Sequence, residues 1–195
     1  MSYNNVVSAT APARSLHVAV ELPGAFGPHY WADLTAGSPD EGALDLSASR
    51  PNVARIRATD LRETRKVRDR VRAELAAEGR DPDSVTVLVD LEVVVAPDAR
   101  SARKQYAQLD IPRTADTLSY VGTPRGLAGL IADIFSTHVA DGVTLVPLAP
   151  SFTVEYIVDG TLGWLESRDL VVPAPSVIEV LRRFGSGFEG LVRAS

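Results

Sequence analysis

No cysteine occurs in the 195 residues. That removes disulfides, thiolate nucleophiles and Cys-ligated metals, and it is compatible with a reducing compartment. Histidine is nearly as scarce, with three copies, His17, His29 and His138, and no two stand at metal-ligand spacing. No metal site is expected. Long apolar runs are also missing. The longest uncharged stretch, Gly142 to Val154, has 13 residues and contains Pro147 and Pro150, so it cannot span a bilayer. Positive charge is in deficit, with 20 Lys and Arg against 25 Asp and Glu. A net charge of −5 disfavours nucleic acid and anionic lipid as partners. The start, "MSYNNVVSATAPAR", carries a small-residue "APA" but neither a basic nor an apolar segment before it, so it reads as a tail rather than an export signal. The expected location is the cytoplasm, with no membrane contact.

What is present is an ordinary soluble balance, 45% hydrophobic and 23% charged, enough for one domain with a core. "SLHVAVEL" (15–22) and "NVARIRA" (52–58) read as strands. "VTVLVDLEVVVA" (85–96) reads as a central strand buried on both faces, and "VTLVPL" as a further strand. "HYWADLTA" is expected to form a short helix, "ALDLSASRP" is ambiguous, and "DIPRTADTLSY" reads as a linker. The clearest helix starts at Asp60 with Glu63 as a capping box, presents Leu61, Thr64, Val67, Val71 and Leu75 on one face, and stops at Gly79. "PDARSARKQYAQL" makes another helix. A third has Thr123 as N-cap, Pro124 in its first turn and an apolar stripe of Leu127, Leu130, Ile131, Ile134 and Phe135. "FTVEYIVDGTLGWLESRDL" is helical but weakened by Gly160 and Gly163, and "APSVIEVLRRFG" closes with a short helix. Alternating strands and helices with short connections predict an α/β fold on a mainly parallel sheet. A single domain over 15–184 is expected between tails at 1–14 and 185–195.

Candidate chemistry is thin. "GSGFEG" (Gly185, Gly187, Gly190) matches G-x-G-x-x-G but follows a helix, where a dinucleotide site needs it after a strand. Asp90 and Glu92 share one strand face and could do acid–base work or pair with arginines. Arg62, Arg65, Lys66, Arg68, Arg70 and Arg72 read as a solvated basic flank. "VGTP" could offer first-turn N–H groups to an anion or simply start a helix. His17, within a strand, and His138, near a helix end, read as structural. His29 follows a Gly/Pro loop after the first strand, at the edge that carries sites in barrels and doubly wound folds, which makes it the catalytic candidate.

Taken in order, "AEGRDPDSVTVLVDLEVVVAPDARSARKQYAQL" and "SYVGTPRGLAGLIADIFSTHVADGVTLVP" resemble the C-terminal half of the bacterial luciferase-like flavin monooxygenases. The branch they are most similar to is that of the nitrilotriacetate and dibenzothiophene-sulfone monooxygenases. Gly79, Arg80, Asp81 and Pro82, then Gly122, Thr123 and Pro124, then Asp141 and Gly142, fill the places of that pattern. "LHVAVEL" and "HYWADL" are similar to the family's first strand and helix. The resemblance implies a TIM (β/α)8-type barrel using reduced FMN, delivered by a flavin reductase, to turn oxygen on a small organic substrate. A full barrel takes about 250 residues. The resemblance therefore implies a partial barrel of about four parallel strands, family strands 1, 6, 7 and 8, with flanking helices and an internal gap near "ALDLSASRPNV". Placement at strand ends, not the family pattern, makes Glu21, Thr59 and Asp60 the candidate flavin contacts beside His29, and the exposed edges of an open half-barrel lead us to expect a homodimer that closes it. A non-catalytic shortened relative, flavin-binding or subunit-like, is the alternative.

Overall fold

A computed structural model describes residues 14–22, 29–35, 52–109 and 116–182. The "GSGFEG" motif, the ambiguous "ALDLSASRP" segment and both tails lie outside the described residues, apart from residue 14. Six strands form one mixed sheet. β1 (His17–Leu22), β2 (Tyr30–Asp33) and β3 (Val53–Ile56) precede helix α1 (Leu61–Ala77). β4 (Thr86–Val95), α2 (Ala99–Gln108), β5 (Leu118–Gly122), α3 (Pro124–Ser136) and β6 (Gly142–Pro147) follow. The strand order is β2-β1-β6-β4-β3, and β5 pairs with the last five residues of β4. β1, β6, β4 and β3 are parallel neighbours, within a sheet of six strands rather than about four.

Two strands correct the sequence reading. "HYWADL" is not a helix: Tyr30–Asp33 pairs antiparallel with β1, Glu21 opposite Trp31 and Ala19 opposite Asp33. The stretch has too few residues to hold a helix against an available sheet edge, and Trp31 and Ala32 are buried by the pairing. The last three residues of the expected linker and the first two of "VGTP" form β5 (Leu118–Gly122), a half-buried strand held by ladder bonds to β4.

Alternation along each strand gives the sheet two unlike faces. Val18 and Val20 of β1, Val143 and Leu145 of β6, and Val89, Leu91, Val93 and Val95 of β4 point into one core. That core is filled by Leu127, Ile131 and Ile134 of α3 and by Ile157, Leu162 and Leu165 beyond it. The opposite face carries Glu21, Trp31, Asp33, Thr144 and Asp90, all buried polar or mixed side chains. At about 1.5–3 kcal/mol per fully buried aliphatic side chain, the first face supplies the stability and frees the second for polar groups.

The helix punctuation is as the sequence reads. Asp60 accepts from the Glu63 N–H at 2.7 Å, while Glu63 reaches back to the N–H and hydroxyl of Thr59. Gly79, at φ 71°, closes α1 with Arg80 N–H bonded to the Leu75 carbonyl and Gly79 N–H to that of Ala76. Leu61, however, is 36% exposed, and the supposed solvated flank turns two of its members inward: Arg68 is buried and Arg72 points to the sheet. After β6, α4 (Pro150–Glu155) runs through a π-helical segment (Tyr156–Leu162) into α5 (Gly163–Glu166), and a last helix occupies 175–182. The π segment fits where α3 begins. The Thr161 hydroxyl donates to the Pro124 carbonyl at 3.1 Å, and a Cβ on Gly160 would stand 2.5 Å from that of Pro124. Among the described residues, no helix is long and apolar enough to cross a membrane.

Candidate functional site

The polar face holds a chain of charged groups across four strands. Register places Arg55 of β3 beside Leu88 of β4, one pleat from Asp90, and Asp90 opposite Thr144 of β6. The Arg55 guanidinium grips Asp90 with two bonds, Nε to Oδ1 at 2.9 Å and Nη2 to Oδ2 at 2.8 Å. Its remaining nitrogen bonds Glu21 of β1. Glu21 in turn meets His29 Nδ1 at 2.8 Å. Arg57 adds a longer bond to Asp90 at 3.3 Å. Asp90 is 2% exposed, whereas the His29 side chain is 62% exposed. The chain therefore runs from a buried carboxylate to a surface imidazole. Trp31 closes one flank by donating its indole N–H to the Thr144 hydroxyl at 3.2 Å.

Electrostatics favour the ionised forms of Glu21 and Arg55. Burial alone would raise the Glu21 carboxyl, but hydrogen bonds from Arg55 and His29 outweigh it and hold the group below its ordinary range. Burial would likewise weaken the Arg55 guanidinium's hold on its proton. The Asp90 and Glu21 carboxylates more than offset that and strengthen it. Asp33 behaves as Glu21 does: burial raises it, while His17 and Thr35 bring it below the usual value.

The sequence candidates divide into two places. Glu21 and His29 are in direct contact. Thr59 and Asp60 are not with them; their polar groups cap α1 through Glu63. Of the carboxylate pair, Asp90 takes the arginine option, while Glu92 is half-buried at the next position on that face. Arg55 was not legible as a site residue. The one signal for it was a basic residue alternating with apolar ones inside a strand.

A flavin phosphate needs free amides or unpaired cations, and those of the polar face and of the α2 start are already engaged. The first turn of α2 is occupied by its own N-cap, Asp98, which accepts from the N–H groups of Arg100 and Ser101 at 2.9 Å each. A phosphate there would face a carboxylate. The Gly126 N–H at the start of α3 goes to the Thr123 hydroxyl. Arg55 is already held by two carboxylates. By themselves these residues do not fit FMN.

Three buried carboxylates, Glu21, Asp33 and Asp141, lie below their ordinary values. The unfolded chain therefore binds protons at a higher pH than the folded one. Stability is fully present above the unfolded carboxylate range, about pH 4, and falls as pH drops through the lower folded-state values. The denaturant midpoint is expected to be flat from pH 7 to about 5 and to drop steeply below about 4. A midpoint that holds level down to about pH 3 would contradict this.

No family model matches the chain, and no curated protein matches it. Solved structures do. A riboflavin lyase (RcaE) crystallised with modified FMN and riboflavin superposes with a TM-score of 0.54 at 18% identity, over 63% of this chain and 40% of its own. The EDTA monooxygenase EmoA from Chelativorans sp. BNC1 gives 0.54 at 15% identity, over 62% and 43%. The long-chain alkane monooxygenase LadA gives 0.51 at 18% identity, over 70% and 41%. The chain thus spans about two fifths of the length of the structures it matches. At such identities the likeness is one of fold, and it is the likeness the sequence motifs announced: over some two thirds of its length this chain is built as a part of the luciferase-like flavin monooxygenases is built.

Proposed function

We propose that the chain is a shortened luciferase-like oxidoreductase: a partial (β/α)8 barrel that works with reduced FMN and oxygen on a small organic substrate. The observation that carries this reading is the shared fold with flavin-linked and monooxygenase structures at TM-scores of 0.51 to 0.54. In this reading β3, β4, β6 and β1 stand for family strands 6, 7, 8 and 1. A flavin reductase supplies the reduced cofactor. In this reading a second copy of the chain completes the barrel. The chain's own contribution is the Glu21–His29 pair at the rim. Arg55 and Asp90 hold the Glu21 carboxylate in place, and Glu21 fixes the imidazole so that Nε2 faces outward.

One observation favours a second reading, a non-catalytic relative that serves as a binding or subunit-like protein. The polar face is filled by mutually satisfied ion pairs rather than by an apolar slot for an aromatic ring. Titration of the purified protein with FMN, oxidised and then reduced, separates the two. The first reading expects quenched flavin fluorescence, a raised melting temperature and oxygen consumption with reduced FMN. At about 100 times Kd, ligand binding adds about 2.7 kcal/mol to stability. Flavin binding without oxygen consumption supports the second reading. No response to either redox form overturns the first reading, and a strictly monomeric protein in sedimentation overturns the shared barrel.

A further inference from the structure

At the other end of β1, away from Glu21 and His29, a second polar line has a more specific geometry. Ser15 and His17 are two apart on extended chain, so their side chains point the same way. Ser15 Oγ lies 3.1 Å from His17 Nε2, and His17 Nδ1 lies 3.0 Å from Asp33 Oδ2. The other oxygen of Asp33 accepts from the N–H of Thr35 at 2.9 Å and from its hydroxyl at 2.7 Å. The Thr35 hydroxyl also accepts from the Val18 N–H at 3.1 Å, which fixes the direction of its own proton. The antiparallel pairing of β2 with β1 sets the whole line, because it seats Asp33 opposite Ala19, one pleat from His17. Exposure is graded along it. Asp33 is 8% exposed, His17 is half-buried and Ser15 is open to solvent.

We propose that Ser15, His17 and Asp33 form a nucleophilic triad that accepts an acyl group from small esters. The connectivity is the one that chemistry requires: carboxylate to Nδ1, hydroxyl to Nε2. With Nδ1–H donated to Asp33, the neutral imidazole carries its lone pair on Nε2, facing the serine hydroxyl. On attack, the Ser15 Oγ–acyl carbon bond forms and the hydroxyl proton passes to Nε2. The bond from acyl carbon to alkoxy oxygen breaks, and the alcohol leaves with that proton. Water then attacks the acyl-serine, giving its proton to Nε2, and the Oγ–carbon bond breaks with return of the proton to Ser15. The sum is ester plus water to acid plus alcohol, with no redox change. Ser15 and His17 are the reacting groups. Asp33 is a positioning residue, and Thr35 holds it. Nothing in this depends on flavin.

The test is covalent labelling of the full chain, without flavin, by diisopropyl fluorophosphate. In that reaction Oγ–P forms, fluoride leaves and His17 takes the proton. Mass mapping is expected to find one adduct, on Ser15, formed about a hundredfold faster than on any other serine. Ser15→Ala should abolish it. Asp33→Asn is the sharper arm. Its amide N–H₂ would face Nδ1, forcing the ring proton onto Nε2, where it can no longer accept from Ser15. Labelling should then fall at least about tenfold with the circular dichroism spectrum unchanged. Should Asp33→Asn unfold the chain, His17→Gln is read instead, with the same expected loss. The proposal is overturned if Ser15 is not labelled, or is labelled equally fast in the wild type and in the folded variant.

Discussion

Replacing Gly142 with alanine is expected to give a chain that does not fold, or one destabilised by more than about 4 kcal/mol. The reason is a backbone approach. A Cβ at position 142 would stand 1.9 Å from the His17 carbonyl oxygen, 2.7 Å from its carbonyl carbon and 2.9 Å from its nitrogen. Those are main-chain atoms of the neighbouring strand, and none can rotate away. His17 is opposite Gly142 in the parallel ladder, and its N–H is bonded to the carbonyl of Asp141 at 3.1 Å. Relief would require β1 to move off β6, which opens the core at Val18 and Val143, both fully buried. Gly129 offers the control, since a Cβ there meets nothing within 4 Å and the residue is mid-helix in α3. Gly129→Ala should stabilise by about 0.5–1 kcal/mol. Thermal melts of the two variants, with solubility recorded, check the pair. A Gly142→Ala protein that melts near the wild type would refute the close packing of β1 on β6.

Much of this fold was legible because local signals agreed with one another. β4 is a β-branched run long enough to need burial on both faces, and it lies at the centre of the sheet, bonded to three strands. α1 and α3 announce their starts through Asp60 and Thr123, whose side chains accept the bonds that capping requires. β2 was illegible for a physical reason. Trp31 and Leu34 are spaced as one helical face, and only pairing with Glu21 and Ala19 of the preceding strand makes the segment extended. β5 is short and half-exposed, so it lacks the apolar density that marks a strand.

The candidate site divides along the same line. Glu21 and His29 are near in sequence and sit at a strand end, so placement found them. Arg55 and Asp90 are 35 positions apart, and their bidentate contact depends on the register of β3 against β4, which no local pattern encodes. Ser15, His17 and Asp33 depend on β2, so the misreading of that segment as a helix hid the line with it. His17, an isolated strand histidine by sequence, proved to be the middle of a three-residue chain of bonds. Asp141 and Gly142 were legible only as an Asp-Gly turn preceding a strand, and their part in tying α1 to the sheet appears first in three dimensions.

Asp141→Ala is expected to destabilise the protein by about 3–5 kcal/mol, the range for removing one partner of a buried ion pair. The carboxylate, 5% exposed, is the hub of the N-terminal end of the sheet. It accepts from the Val87 N–H at 2.9 Å, from Arg72 at 3.2 Å, from Arg68 at 3.4 Å, and from Arg14. Burial would raise its pKa, but the Val87 amide and the arginines bring it below the ordinary value, so it is charged at neutral pH. Without it, three guanidinium groups face one another. Arg68 suffers most: it is 6% exposed, and burial already weakens its hold on its proton despite Asp141. Asp141→Asn keeps an acceptor for Val87 but not the charge, so its loss should be smaller. Combining Asp141→Ala with Arg68→Met should recover part of the loss, because it removes the charge left unpaired, with a coupling of about 0.5–3 kcal/mol between the two sites. Urea denaturation of the wild type, the three single variants and the double measures this directly. Strict additivity would mean that Arg68 and Asp141 do not act as a pair, leaving Arg72 and the apolar contacts to Ile56, Ala58 and Val87 to hold α1 to the sheet.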